Sequence, residues 1–356
     1  MHADRSQIRA NNFDGVRLVA ALMVLVGHGF VLTGAGRAPT LFGIPIHTLA
    51  VAVFFAISGY LIAGSWAASP HPGRFLWHRF LRIFPGLIAV VIVTVGVIGP
   101  LATTNLHAYL ASPKTYDYLQ NITTLAVYEL PGVFTSDTHA TRAVNGSLWT
   151  LGVEFACYLA VLGVGMLAKK HSRVVYLVLA LLAVAVTSLL PFVPALTSLR
   201  DAAPVVVYFF IGSLIRTSAP ALMLSWRVAL PVAVVWFATT LFWSQAALVA
   251  SWIALPLCVL ALGRASTPVL RRASRFGDLS YGTYLWAFVL QQSALDIFGR
   301  LPIGVNLAIV LPATIAIAFG SWYLVEARFL RLKRYSPFRP WRGVSPTRAV
   351  PALEGG

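Results

Sequence analysis

His28 and Glu154 are the residues whose types and placement best suit acid–base chemistry. Each stands inside a long apolar run, where an ionisable group is costly and asks for a reason. His28 follows Arg17 by eleven residues. That is three helical turns, so the two lie near one face, with His28 about 20 Å along its run. Glu154 closes the stretch Asn145-Gly-Ser-Leu-Trp-Thr-Leu-Gly-Val-Glu154 and lies roughly 13 Å in from the opposite side. The two are therefore expected at similar depth. An imidazole beside a carboxylate in a low dielectric makes a general base with an orienting partner, and an isolated glutamate there would be expensive. The structural alternative is a packing histidine bonded to a backbone carbonyl, and a His–Glu pair that only ties two helices.

A second cluster is cationic. Arg74, His78, Arg79 and Arg82 precede Ile83-Phe84-Pro85. Arg79 and Arg82 are three apart and project from one face of a helix end. Guanidinium groups suit phosphate through bidentate bonds; the bland alternative is a positive anchor at the membrane surface. Asp14, three residues before Arg17, is placed to pair with it. Phe54-Phe55-Ala56-Ile57-Ser58-Gly59-Tyr60-Leu61-Ile62 carries a Ser-Gly step that permits close helix approach or lets a ligand reach the backbone. Leu279-Ser280-Tyr281-Gly282-Thr283-Tyr284-Leu285-Trp286 lies beside an Arg-rich loop, and its tyrosines serve as interface anchors or line a channel. Cys157 and Cys258 lie in separate apolar runs and read as packing residues rather than a disulfide or a nucleophile. No histidine pairing suggests a metal site.

The elements that must position these groups follow from composition. The 356 residues are 58% hydrophobic and only 11% charged, too few charges to cover a water-facing surface, since soluble domains carry about 25%. Apolar runs near 20 residues long occur at 15–34, 44–66, 84–103, 146–168, 174–195, 203–216, 228–243, 245–263, 279–299 and 303–325. The fold class is thus all-α, a polytopic transmembrane bundle of about ten helices. The partly apolar stretch 118–130 is expected to be interfacial or re-entrant. The net charge of +16 is a membrane-topology signal rather than a nucleic-acid one. With both termini cytoplasmic, 22 of the 27 Lys and Arg fall inside, leaving Arg37, Lys114, Arg142, Arg200 and Arg300 outside. One membrane domain over 1–335 and a basic, Pro-rich, disordered tail over 336–356 complete the organisation. The first apolar run is read as a retained helix rather than a cleaved signal.

Five segments in this order resemble the acyltransferase family 3 membrane proteins. They are Phe13-Asp14-Gly15-Val16-Arg17 with His28; Phe54-Phe55 to Ser58-Gly59-Tyr60-Leu61; Arg79-Phe80-Leu81-Arg82-Ile83-Phe84-Pro85; Ser147-Leu148-Trp149 with Glu154; and Tyr281-Gly282-Thr283-Tyr284-Leu285-Trp286. The family often has a His after that last Trp; here Ala287 stands there. The resemblance implies an O-acyltransferase of the bacterial plasma membrane. Its donor would be acyl-CoA, usually acetyl-CoA, with no permanently bound cofactor. Its acceptor would be a carbohydrate or glycolipid of the envelope, or a glycosylated small molecule. It implies roles for His28 and for Arg17, Arg79 and Arg82 at the donor, with Glu154 beside the base and Ser58, Tyr60, Trp149, Tyr281 and Tyr284 shaping the pocket. Direct transfer and an acyl-histidine route both remain open. The competing readings are a carrier or flippase for a lipid-linked sugar, and a binding protein without turnover.

Overall fold

The structure, a computed structural model, describes residues 11–218 and 221–338. The expectations for Arg5, Arg9, Arg339, Arg342 and Arg348, and for the tail beyond Phe338, lie outside the described residues.

Apolar composition and length dictate a helical bundle, because lipid offers backbone groups no hydrogen-bond partner and a helix satisfies them internally. Among the described residues the long helices are α1 (Phe13–Leu32), α2 (Ile46–Ala68), α3 (Pro72–Val93), α7 (Trp149–Leu167), α8 (Ser172–Leu189), α9 (Ala202–Ser218), α10 (Trp226–Phe242), α11 (Ser244–Arg264), α12 (Leu279–Phe298) and α13 (Ile303–Ser321). Short helices α4 (Gly99–Ala102), α5 (Leu106–Ala111), α6 (Pro113–Asp117) and α14 (Ala327–Leu330) complete them. Seven of the long helices are long and apolar enough to cross a membrane, and α9 and α10 are shorter apolar helices. The remaining one, α12, is less apolar because it is the central helix: buried residues follow one another from Ser280 to Val289, and Gln291 and Gln292 are buried beyond them. A helix shielded from lipid on all sides tolerates amides that a lipid-facing helix cannot. Exposed Leu177, Leu181 and Leu182 of α8 and Leu230, Val234 and Phe237 of α10 form the opposite case, an apolar exterior suited to lipid.

One boundary differs from the sequence expectation. The third span does not begin at residue 84. A helical rod of 31 residues runs from Pro72 to Ala102, about 46 Å long, through a π-turn at Thr94–Ile98. Pro85 sits inside α3 and not at its edge, since neighbouring groups compensate a proline in a membrane helix. Arg74, Arg79 and Arg82 therefore project from within the helix.

Successive long helices run in alternate directions, giving the bundle an arginine-rich end, with Arg17, Arg79, Arg216, Arg264 and Lys333, and an opposite end. The opposite end carries a hairpin expected from no sequence pattern noted above: β1 (Thr40–Leu41) pairs with β2 (Ile44–Pro45). Its tip, Phe42 and Gly43, has φ of 52° and 73°, the positive pair that a two-residue turn requires. The Phe42 ring stacks on Trp236 of α10 at 4.2 Å. The stretch 118–130 folds at this same end. Tyr118 is fully buried, and Asn121 bonds both to Tyr118 and across the turn to Val127.

The closest helix contact is between α2 and α9. A Cβ on Gly59 would lie 1.9 Å from the Phe209 carbonyl oxygen, and one on Gly212 would lie 2.3 Å from that of Ala56. The Ser213 hydroxyl donates to the Gly59 carbonyl at 3.1 Å. The Ser58-Gly59 step thus serves close helix approach through its glycine, which leaves the serine free to face the site.

Candidate functional site

A cavity of about 280 Å³ opens from the arginine-rich end between α1, α2, α3, α7 and α12. Arg17, Arg79, Arg82 and Lys333 line it against the two carboxylates Glu154 and Asp278, with Tyr281 and Tyr284 along one wall. Its cations outnumber its carboxylates, so a polyanion is the ligand class it favours. Attraction acts strongly in such a setting because little water screens it.

Each charged group is held in a specific way. Arg82 makes a 2.5 Å ion pair with Asp278 and lies over the Tyr281 ring at 5.4 Å. Arg17 reaches the same carboxylate oxygen at 4.0 Å. Asp278 directly precedes α12, and the Ser280 hydroxyl donates to its other oxygen at 2.5 Å. Arg79 is wedged between the rings of Phe75 and Tyr158, at 5.8 and 5.9 Å, with its Nε buried and without a hydrogen-bond partner. Glu154 Oε1 accepts from the Ser58 hydroxyl and from the Tyr158 hydroxyl, each at 2.6 Å. Tyr158 is four residues after Glu154 and so stands over the same helix face. Tyr281 donates to the Ile83 carbonyl at 2.6 Å, next to the arginines of α3. Glu326, 3% exposed, lies behind the cavity with Oε1 bonded to Ser321 and Oε2 buried without a partner.

The far wall of the cavity is Val51, Phe54, Thr150 and Tyr284. Phe54 and Tyr284 meet edge to face at 5.7 Å. The Tyr284 hydroxyl donates to the Ser147 carbonyl at 3.0 Å and shares a 2.6 Å contact with the Thr150 hydroxyl.

His28 does not line this cavity. Its ring lies 5.4 Å from the His47 ring and 5.3 Å from Phe288. The Nδ1 atoms of both histidines are buried without a hydrogen-bond partner. Gly27 makes this approach possible, since a Cβ there would fall 2.7 Å from both Cβ and Nδ1 of His47. Phe288 is one turn beyond Tyr284, and Thr150 one turn from Glu154. The level of His28 therefore lies about 12 Å from that of Glu154, towards the opposite end. This corrects the expected pairing. The imidazole beside His28 is that of His47, and the partners of Glu154 are Ser58 and Tyr158. The expected equal depth fails because α7 begins inside the bundle, with the Asn145 side chain just before it donating to the Leu285 carbonyl of α12 at 2.9 Å, so Glu154 lies deeper than its distance from the edge of the apolar run implied.

Of the other expected site residues, the structure brings Arg17, Arg79, Arg82, Tyr281 and Tyr284 to the main cavity and Ser58 to its Glu154. Tyr60 faces elsewhere, stacked on Phe13 and beneath Arg216. Trp149 packs half-buried against the core and does not line the cavity. Sequence reasoning missed Asp278, Tyr158, Lys333 and His47. Asp278 was visible as the carboxylate directly before the Leu279–Trp286 motif, and His47 as an imidazole starting the second span where His28 nears the end of the first.

This combination of an all-helical membrane bundle and a buried basic cavity beside a histidine pair agrees with the sequence comparisons. The chain matches the acyltransferase 3 family, described as an acyltransferase domain, over residues 11–326, and it belongs to that family of integral membrane acyltransferases. It is 30% identical over 343 residues to an O-acetyl transferase of Shigella phage Sf6, covering 90% of this chain and 96% of that protein. It is also 30% identical over 365 residues to nodulation protein 10 of Rhizobium leguminosarum bv. viciae, covering 93% of this chain and 96% of that one. No solved structure matches it significantly. The chain is an O-acyltransferase, and this decides for an enzyme over the carrier and binding-protein readings.

Proposed function

We propose that this O-acyltransferase moves an acetyl group from acetyl-CoA, taken up at the cytoplasmic side of a bacterial plasma membrane, to a hydroxyl of an envelope carbohydrate. One observation carries the reading: a basic cavity leads from the arginine-rich end to within about one helical turn, some 6 Å, of the level of His28. The acetyl group is suggested by the phage relative's printed name, and the carbohydrate by the family resemblance of the five motifs.

In this reading Arg79 and Lys333 meet the donor's phosphates, and Arg17 and Arg82 do so while held in place by Asp278. Lipid-depth burial keeps these cations poorly hydrated and ready for an anion. The thioester arm lies along Glu154 and Tyr281 towards the Phe54–Tyr284 wall, which must part for the acyl carbon to reach His28. The acceptor hydroxyl approaches from the opposite end. Its oxygen attacks the thioester carbonyl as His28 takes its proton. The new C–O bond forms, the C–S bond breaks, and the thiolate leaves and is protonated as free CoA. His47 packs its ring 5.4 Å from that of His28 and shapes the space around the base. Glu154 does not orient the base in this mechanism; with Ser58 and Tyr158 it sets the negative side of the donor chamber opposite Arg79.

The test uses purified protein, acetyl-labelled acetyl-CoA and envelope glycan from a strain deleted for the chain. Label in an alkali-labile ester is expected, and its loss in His28→Ala with donor binding retained. Full activity in His28→Ala would remove the base.

A further inference from the structure

A second basic hollow lies beside the first, and the mechanism above does not use it. It has a volume of about 430 Å³ and is lined by Asn11, Phe13, Tyr60, Leu61, Gly64, Arg216 and Arg264. Resting on the acyl-CoA reading, we propose that this hollow is the subsite for the phosphorylated nucleotide end of the donor, whose thioester arm lies in the main cavity.

Leu61 lines both the hollow and the main cavity, so the two lie side by side at the arginine-rich end, within the reach of one extended ligand. The hollow has the two features that a phosphorylated aromatic group needs. The first is unspent positive charge. Among the described residues neither Arg216 nor Arg264 has an ion-pair partner. In the main cavity, by contrast, Asp278 already engages both Arg17 and Arg82. A donor with three phosphate groups asks for more cation than that cavity leaves uncommitted. The second is an aromatic wall: Phe13 and Tyr60 stack at 6.1 Å with their planes 30° apart.

Both arginines end helices, α9 and α11, where a cation also complements the helix dipole. That role alone does not explain the shape around them. While the residue as a whole stays exposed, the Arg216 guanidinium folds over the Tyr60 ring at 5.4 Å. It does so into space that a side chain at 64 would fill, for a Cβ on Gly64 would lie 2.4 Å from its Nε. A Cβ on Gly263 would likewise fall 2.3 Å from the Phe13 ring. Asn12 then locks the start of α1 to the end of α11. Its amide donates to the Leu262 carbonyl at 3.0 Å, and its Oδ1 accepts from the Thr267 backbone at 3.0 Å. Phe13 and Arg264 are held on the same rim as a result.

A phosphate here could come from the donor or from a lipid headgroup, and the experiment separates them. The full chain is placed in nanodiscs of phosphatidylcholine, and binding of CoA and of dephospho-CoA is measured for wild type, Arg216→Gln, Arg264→Gln, the double variant, and Arg37→Gln as a control on the opposite side. Each single variant is expected to lose about tenfold in CoA affinity, as for a charge-assisted contact. The double variant is expected to bind CoA no better than dephospho-CoA, and Arg37→Gln to match wild type. A Gly64→Val variant, which leaves both charges but crowds Arg216, should lose affinity in the same sense. Wild-type CoA affinity in the double variant overturns the proposal while leaving the acyl-CoA reading standing. Unchanged CoA affinity together with lost stabilisation by added phosphatidylglycerol assigns the hollow to lipid and overturns it too. Wild type that binds neither CoA form overturns the donor reading itself.

Discussion

At the scale of single residues, the site depends on small clearances and on hydroxyls spent on one carboxylate. Gly27 is the sharpest case. Gly27→Ala drives a methyl into the His47 ring, so the variant is expected to fold and bind CoA but to lose most of its acyl transfer, read by labelled acetyl-CoA turnover. Unaltered turnover would separate His47 from the chemistry. Ser58 and Glu154 offer a second measurement. A hydrogen bond to an ionised carboxylate contributes about 1.5–3 kcal/mol. Ser58→Ala and Glu154→Gln should therefore be non-additive by about 1–2 kcal/mol in a double-mutant cycle on donor affinity. Additive effects would show that the 2.6 Å contact carries no coupling. Asp278→Asn leaves Arg82 without its charge partner at a site where both side chains are less than a fifth exposed. A large loss of detergent-solution stability, about 3 kcal/mol, is expected from an uncompensated cation.

At the scale of elements, the helices that hold the site are set against one another by small residues rather than by apolar stripes. The α2–α9 crossing brings backbone to backbone at Gly59 and Gly212. Gly59→Ala would force these helices apart, and overpacking of this kind costs about 1–3 kcal/mol. A lower unfolding temperature is expected, with reduced CoA binding because Ser58 and Tyr60 move with the backbone. The α3 rod shows the same principle from the other side. Its π-turn leaves the Val95 carbonyl available, and the Tyr109 hydroxyl donates to it at 2.7 Å, which docks the segment after α3 back onto its helix. Burial, with a smaller contribution from Tyr116, pushes the Tyr109 phenol up to about 12 from an ordinary 10.0. A phenol raised in the folded state stabilises below the unfolded value and loses that contribution as pH rises through the folded one. Exchange protection in 104–118, taken relative to the intrinsic amide rate at each pH, should fall between about pH 10 and 12, and Tyr109→Phe should remove that fall. Protection that stays constant over this range in the wild type would detach Tyr109 from the anchoring of this segment.

At the scale of the whole molecule, the bundle separates two chemistries in space. One end gathers arginines around two neighbouring hollows, and the other presents the hairpin and the folded 104–148 segment above the histidine pair. The Gln292 side chain donates to the carbonyls of Thr141 and Ala143, and Arg300 donates to those of Asp137 and Thr138, so α12 fixes this segment as it fixes the arginine end through Asp278. The proposed orientation makes a direct prediction. Single cysteines at Thr138 and at Ser336, in a background lacking Cys157 and Cys258, should be labelled by an impermeant thiol reagent from outside and only after lysis, respectively. The reverse pattern would turn the molecule over and with it the assignment of donor and acceptor sides.

Composition alone determined that lipid is the solvent, and the apolar runs gave ten helices with their alternation, because span length and charge placement are properties of consecutive residues. The motif residues Arg17, Arg79, Arg82, Glu154, Tyr281 and Tyr284 were also legible, since charge and hydroxyls at membrane depth need a cause. Only the tertiary structure decided who meets whom. Helices that are apolar nearly all round carry no stripe to fix their rotation, so nothing in the sequence said that His28 turns to His47 and Glu154 to Ser58 and Tyr158. Nor did it say that Asp278, 196 residues after Arg82 and further still from Arg17, holds both arginines. The His28 and Glu154 neighbours depend on close approaches at Gly27, Gly59 and Gly212, whose geometry exists only once the helices are packed.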